Sequence, residues 1–373
     1  MKFSCERALL LSAIVNVSRA VPTRSSIAAL EGILIEAGDK LRLTGFNLEI
    51  GITEELDAGI TVPGTVVVGM RLLSDIVRRL PDDMVVFSLN DKMIMHIECG
   101  NTVFDISSCL EGSIYPQMPT VQEEKTAELP QKMLREMIRG TLFAVSDSDA
   151  KQIHTGSKFI WEENKLTLVS IDGYRLALRR ETYEGQPPGE DFVVPGSALR
   201  EVERLLTGED EDTVRLVLGG RHILFEMGTV TLTTRLLEGE FLNYKTTIPT
   251  DQPVSILMES QALTDGIGRV SLLINEKVKS PVRLKIEKES ITISCVTALG
   301  AAQDVCPAQV EGLPEEQALE IGFNNRYLLD VLHVLPDEQC LAKLANPLSP
   351  CVIVPQEGDA YLYMILPVRL RAD

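Results

Sequence analysis

Leu73-Ser74-Asp75-Ile76-Val77-Arg78-Arg79-Leu80 decides how this chain is read, because its pattern is written three times. Leu73, Ile76 and Leu80 fall at i, i+3 and i+7, the spacing that sets three side chains on one face of an α-helix. The stripe returns as Leu199, Val202 and Leu206, and again as Leu328, Val331 and Leu335, each time about a third of the 373-residue chain further on. Repetition at a fixed interval points to tandem copies of one structural unit.

A second stripe supports the repeat. Leu10, Ile14 and Val17 lie at i, i+4 and i+7, as do Leu263, Ile267 and Val270; Leu134 and Ile138 match in the middle third, with Thr141 a weaker third member. Each third therefore carries two amphipathic helices. Around them lie alternating or β-branched segments at 32–36, 41–43, 85–89, 93–98, 159–161, 166–170, 214–218, 230–234, 282–286, 291–295, 352–354 and 361–366. Gly38-Asp39, Glu163-Asn164 and Gly219-Gly220 punctuate them as turns. The expected fold is α+β: three tandem domains, each with two helices backed by antiparallel sheets, at 1–120, 127–248 and 250–373. Residues 112–128 and 246–253, with Pro116, Pro119, Pro249 and Pro253, read as extended linkers with little to bury.

The composition is that of an ordinary globular chain, 45% hydrophobic and 24% charged. A net charge of −18 argues against indiscriminate nucleic-acid binding over the outer surface, yet leaves room for a basic inner face. Glu123, Glu124 and the run Glu209, Asp210, Glu211, Asp212 read as solvated loops. Seven cysteines without a C-x-x-C pair suit buried thiols in a reducing compartment, which predicts a cytoplasmic protein. The opening 21 residues resemble a leader, but Glu6, Arg7 and Asn16 interrupt the apolar run, so an amphipathic first helix is expected. No membrane partner is expected.

Enzyme signatures are scarce. There is no glycine-rich phosphate loop, nucleophile elbow or H-E-x-x-H, and His96, His154, His222 and His333 lack ligand spacing. Ser146-Asp147-Ser148-Asp149 reads as a polar turn before it reads as a cation site, and Trp161 as core. Basic residues are more suggestive. Arg7, Arg71, Lys132 and Arg269 lie on or beside the helices, while Arg78, Arg79, Arg135, Arg139, Arg200 and Arg204 fall off the apolar stripes, placed to meet phosphates without reading bases.

Several non-repeated motifs resemble one family, the bacterial sliding clamp, beta subunit of the replicative DNA polymerase. They are Leu41-Arg42-Leu43-Thr44-Gly45-Phe46-Asn47-Leu48-Glu49, Asp172-Gly173-Tyr174-Arg175-Leu176-Ala177, Leu237-Glu238-Gly239-Glu240-Phe241 through Tyr244, and Asn275-Glu276-Lys277. Ile321-Gly322-Phe323-Asn324, Tyr327-Leu328-Leu329-Asp330-Val331-Leu332 and the late Leu366-Pro367-Val368-Arg369-Leu370 complete the series. The resemblance implies a head-to-tail homodimer forming a ring around duplex DNA, with no catalysis and no cofactor or metal. It also implies as partners the polymerase alpha subunit, the clamp loader, and other polymerases and repair proteins carrying a clamp-binding peptide.

Residue by residue, the resemblance implies a peptide pocket of Ile171, Gly173, Tyr174, Arg175, Leu176, Leu242, Thr247, Leu348, Pro350, Leu366, Pro367, Val368, Arg369 and Leu370. It implies a subunit interface of Phe104 and Ile106 against Leu272 and Leu273, and DNA contacts from Arg24, Lys151 and Gln152 besides the helix arginines. Leu242, Thr246, Ile171 and His154 stand where the family more often has Pro, Arg, Thr and Leu, and Arg371-Ala372-Asp373 follow the usual terminus. Two other readings are a clamp-like paralogue acting as a peptide scaffold outside the main replisome, and a metal-dependent nuclease or phosphotransferase built on Asp147, Asp149 and Asp172.

Overall fold

The computed structural model describes residues 1–162, 164–209, 211–274, 280–314 and 317–370. Glu163, Asp210, the Asn275-Glu276-Lys277 motif, Arg371-Ala372-Asp373 and the side chain of Asp149 lie outside the described residues. Six α-helices occur among the described residues: α1 (Arg7–Ser18), α2 (Met70–Arg79), α3 (Gln131–Arg139), α4 (Gly196–Leu205), α5 (Ser260–Val270) and α6 (Asn325–Leu332). They fall where the two apolar stripes place them. The stripe residues Leu73, Ile76, Leu80, Leu199, Val202, Leu206, Leu328 and Val331 are all buried.

The chain packs as two compact units: Met1–Arg135 with Gly185–Gly189 and Ser197–Leu236, and Glu136–Glu184 with Glu190–Gly196 and Leu237–Asp373. The strands of the middle third are shared between them, because each unit is built on continuous sheets. The first unit holds a five-stranded and a nine-stranded antiparallel sheet. Helix α1 buries Leu10, Ala13, Ile14 and Val17. It lies so close to strand Leu41–Phe46 that a Cβ on Gly45 would stand 2.1 Å from the Val17 carbonyl oxygen. Only glycine allows that approach. Arg7 donates from Nε and Nη2 to the carbonyls of Val77 and Arg78 (3.2 and 2.8 Å), capping the C-terminal end of α2.

The expected linker at 112–128 is a correction. Residues 125–130 form a strand paired with Thr213–Gly219. Tyr115 is buried with Ala29, Leu30, Phe46 and Val67, and Met118 packs on that cluster. Two apolar anchors among the prolines dock the segment on that cluster. The segment at 246–253 is also tied down, by Ile248 on an apolar cluster and by Gln252 Nε2 donating to the Lys343 carbonyl at 3.0 Å.

The second unit is built on a twelve-stranded antiparallel sheet. Five neighbouring strands position the site, in the spatial order Gly156–Glu162, Lys165–Ile171, Arg175–Thr182, Tyr361–Ile365 and Cys351–Val354. Side chains alternate across a strand. Ala177, Ile353, Tyr363 and Ile365 join the main core with Leu263 and Ile267 of α5 and Leu328 and Val331 of α6. Leu176, Leu178, Val352 and Met364 form a second apolar cluster.

Candidate functional site

Strands Lys165–Ile171 and Arg175–Thr182 are joined by Asp172-Gly173-Tyr174. The Asp172 Oδ1 accepts from the backbone N–H groups of Tyr174 (2.8 Å) and Arg175 (3.0 Å), a side-chain-stabilised turn. Gly173 sits at φ +90°, the left-handed region that favours glycine. The turn leaves Tyr174 62% exposed, while Leu176 two residues on is buried.

Arg175 points elsewhere. It is 8% exposed, and its Nε donates to Asp172 Oδ2 at 3.0 Å and its Nη1 to Asp330 Oδ2 of α6 at 2.5 Å. Nη2 donates to the Phe143 carbonyl, and Cζ lies 4.4 Å from the Tyr327 ring centroid. The planar, permanently charged guanidinium thus serves two carboxylates, a carbonyl and an aromatic face together. Burial and the negative charge of Asp172 push the Tyr327 phenol above its ordinary value. Expected as a pocket wall, Arg175 is a strut that ties the turn to α6.

Behind the turn runs an apolar row. Ile171 pairs with Leu176, Leu176 with Met364, and Met364 with Val352, so four side chains cross four strands in register. The next row sets Val169 beside Leu178 and Leu178 beside Leu362. Tyr244 and Phe241 pack on the same cluster. Phe241 meets the His154 ring edge-on, 5.4 Å between centroids. Burial and the charge of Lys151 hold the His154 imidazole below its ordinary pKa, so it is neutral at pH 7.

Apolar side chains stay exposed in the neighbouring segments of the chain. Tyr174, Leu242, Leu348 (68%) and Val368 are all accessible, as is Thr247, whose hydroxyl donates to the Tyr244 carbonyl at 2.7 Å. The final segment is pinned by its backbone. Leu366 N–H donates to the Tyr174 carbonyl (2.9 Å) and Val368 N–H to the Gly322 carbonyl (2.8 Å). Leu370 lies against Gly322, where a Cβ would stand 2.5 Å from its Cδ2. Pro350 accepts from Gln252 at 3.3 Å, Pro367 is half-buried, and Arg369 is exposed. Met364, Val352, Tyr244 and Phe241 were absent from the residues expected in the pocket. The alternation in Tyr361-Leu362-Tyr363-Met364-Ile365 carries the signal that would have placed Leu362 and Met364 on this apolar cluster.

Arg24, Arg78, Arg79, Arg135, Arg139, Lys151, Gln152, Arg200 and Arg204 are all exposed. Arg135 also reaches the Thr207 carbonyl at 3.0 Å, and Arg204 pairs with Glu201 at 2.7 Å. Arg7 and Arg269 are diverted, the first to the end of α2 and the second to Asp304. Of the expected interface residues, Leu272 is 84% exposed, Phe104 exposed and Leu273 half-buried, while Ile106 is already buried within its own unit. Asp172 is committed to its turn and to Arg175. Among the described residues no group of three or more His, Cys, Asp or Glu side chains stands ready to share a metal ion, and no helix is long and apolar enough to cross a membrane.

A chain of tandem α+β domains with exposed basic residues on its helices and exposed apolar side chains beside a buried apolar row is a protein of the DNA-clamp class. Family models of the DNA polymerase III beta subunit match it along its length: the N-terminal domain at 1–119, the central domain at 128–243 and the C-terminal domain at 245–369. The beta sliding clamp of Synechococcus elongatus is 30% identical over 382 residues, covering 100% of both chains. The crystal structure of a sliding clamp from Bacillus subtilis superposes with a TM-score of 0.93 at 30% identity, covering 100% of each chain. A clamp from Bartonella birtlesii bound to griselimycin superposes with a TM-score of 0.92 at 28% identity, covering 99% of this chain and 100% of that one. The chain belongs to the DNA polymerase III beta subunit family, the sliding clamps, and its function class is that of a clamp encircling DNA in replication.

Proposed function

We propose that the groove floored by Ile171, Leu176, Met364 and Val352 holds an extended peptide carried by the clamp's partners. One observation carries this reading: a continuous apolar row crosses four strands, and Tyr174, Leu242, Leu348 and Val368, in the segments that join or follow those strands and the packed Phe241 and Tyr244, are left exposed. Exposed apolar patches of this kind mark binding sites, and a few large anchors dominate such interfaces. The partners are the polymerase alpha subunit, the clamp loader, and other polymerases and repair proteins, acting in the cytoplasm. The protein needs no cofactor and performs no chemistry; it raises the polymerase's local concentration at the primer end.

Two copies close head to tail around duplex DNA. Two free strand edges support this. Among the described residues Thr102–Ile106 pairs on one side only, and it exposes Val103 and Phe104. In Gly300–Glu311, only residues 308–311 pair with strand Val254–Glu259, leaving one edge of 300–307 open beside exposed Val296 and Leu299. Unpaired edges invite a partner strand, and an interface of unlike surfaces that closes after two copies makes a ring. The exposed arginines then meet phosphates without base contacts, as sliding requires.

Titration with griselimycin tests the groove. Wild type binds it, and Leu176→Ala with Leu366→Ala abolishes binding while the dimer's mass stays unchanged. Unaltered affinity in the double variant removes the groove assignment.

A further inference from the structure

His154 is a polar group set against this apolar neighbourhood. The side chain is 9% exposed, its ring is held edge-on by Phe241, and Phe241 packs on the groove floor. Among the described residues no hydrogen bond reaches either ring nitrogen, and neither nitrogen is among the sealed, unpartnered polar atoms such as Trp161 Nε1 and Tyr363 Oη. The ring nitrogens therefore keep some access to solvent although the side chain as a whole is buried. A neutral imidazole offers one N–H donor and one acceptor. A purely aliphatic anchor seated there strips water from those nitrogens and returns nothing, which is costly.

We infer that His154 is a specificity-determining residue of the groove, selecting partner peptides whose aromatic anchor carries a hydroxyl over those with a bare hydrocarbon ring. The His154–Phe241 corner supplies ring edges and faces for an aromatic anchor. The imidazole supplies the hydrogen bond that separates tyrosine from phenylalanine. Sites built to hydrogen-bond a hydroxyl discriminate against the analogue lacking it more sharply than apolar pockets discriminate by size. The inference rests on the groove being the peptide site.

Two fluorescein-labelled pentapeptides, Ser-Leu-Ser-Leu-Tyr and Ser-Leu-Ser-Leu-Phe, differ in one hydroxyl and provide the test by anisotropy at pH 7.5 on the full-length protein. Wild type prefers the tyrosine peptide by about fivefold, the share of one net hydrogen bond. His154→Leu erases or reverses that preference while still binding the phenylalanine peptide. His154→Gln, which keeps a donor and an acceptor, retains a preference. Equal affinities in the wild type overturn the inference, as does a preference that survives in His154→Leu. Loss of preference in His154→Gln as well reduces the residue to shape and overturns it too. If neither peptide binds wild type, or if Leu176→Ala with Leu366→Ala leaves the phenylalanine peptide's affinity unchanged, the groove reading itself fails.

Discussion

Arg175 shows what a single residue contributes and how far sequence reaches at that scale. The turn Asp172-Gly173-Tyr174 is legible, since an Asp followed by a Gly before an apolar strand is turn chemistry. The strut is not legible, because Phe143 and Asp330 meet Arg175 across separations of 32 and 155 residues. Removing one member of a buried charge network leaves the others unpaired, so Arg175→Ala costs about 3 kcal/mol of stability by urea titration. Arg175→Lys recovers little of it, because an ammonium cannot match the planar fork. His154 gives a pH prediction. Its folded pKa lies below the unfolded value, so the folded state binds fewer protons as pH falls below about 6.5. The stability it contributes is present above that pH and is lost as pH drops toward the folded pKa. His222 is shifted the same way by burial and Arg235. Lowering pH from 7.5 to 5.5 therefore reduces the urea midpoint of wild type more than that of His154→Leu; equal reductions contradict the assignment.

At the scale of elements, the helices were readable and many strands were not. A period of 3.6 survives in each helix because one face is buried and the other wet. Strand Gly300–Glu311 hides its period behind small and polar residues and contains Pro307. The proline's missing N–H costs no rung to strand Val254–Glu259, whose pairing begins at Ala308. The supposed linker at 112–128 hid a strand for a related reason: prolines and acidic residues outvote one tyrosine and one methionine in any local reading. The fit of α1 on strand Leu41–Phe46 is equally hidden, because only geometry reveals why position 45 is glycine. Gly45→Ala forces helix and strand apart and costs about 2 kcal/mol, seen as a lowered thermal midpoint. A neutral result there contradicts the close approach.

For the whole molecule, the threefold stripe announced tandem domains, and that was most of the fold. What it left out is that sheets run on through the middle third, so that Lys125–Pro130 and Thr213–Arg235 belong to one unit and Gly156–Thr182 to the other. Register between distant strands, such as Val230 opposite Glu54, is set by long-range pairing that no local pattern records. The interface reading makes its own prediction. Leu272→Asp with Phe104→Asp buries charge against apolar surface and halves the mass found by sedimentation equilibrium; an unchanged mass contradicts it. The central claim is that enclosure, more than affinity, holds this protein on DNA. Retention on a closed circular duplex, compared with the same circle cut once, tests it most directly. The account predicts that loaded protein stays on the closed circle and leaves the cut one by sliding off its ends. Loss from both at the same rate would contradict it.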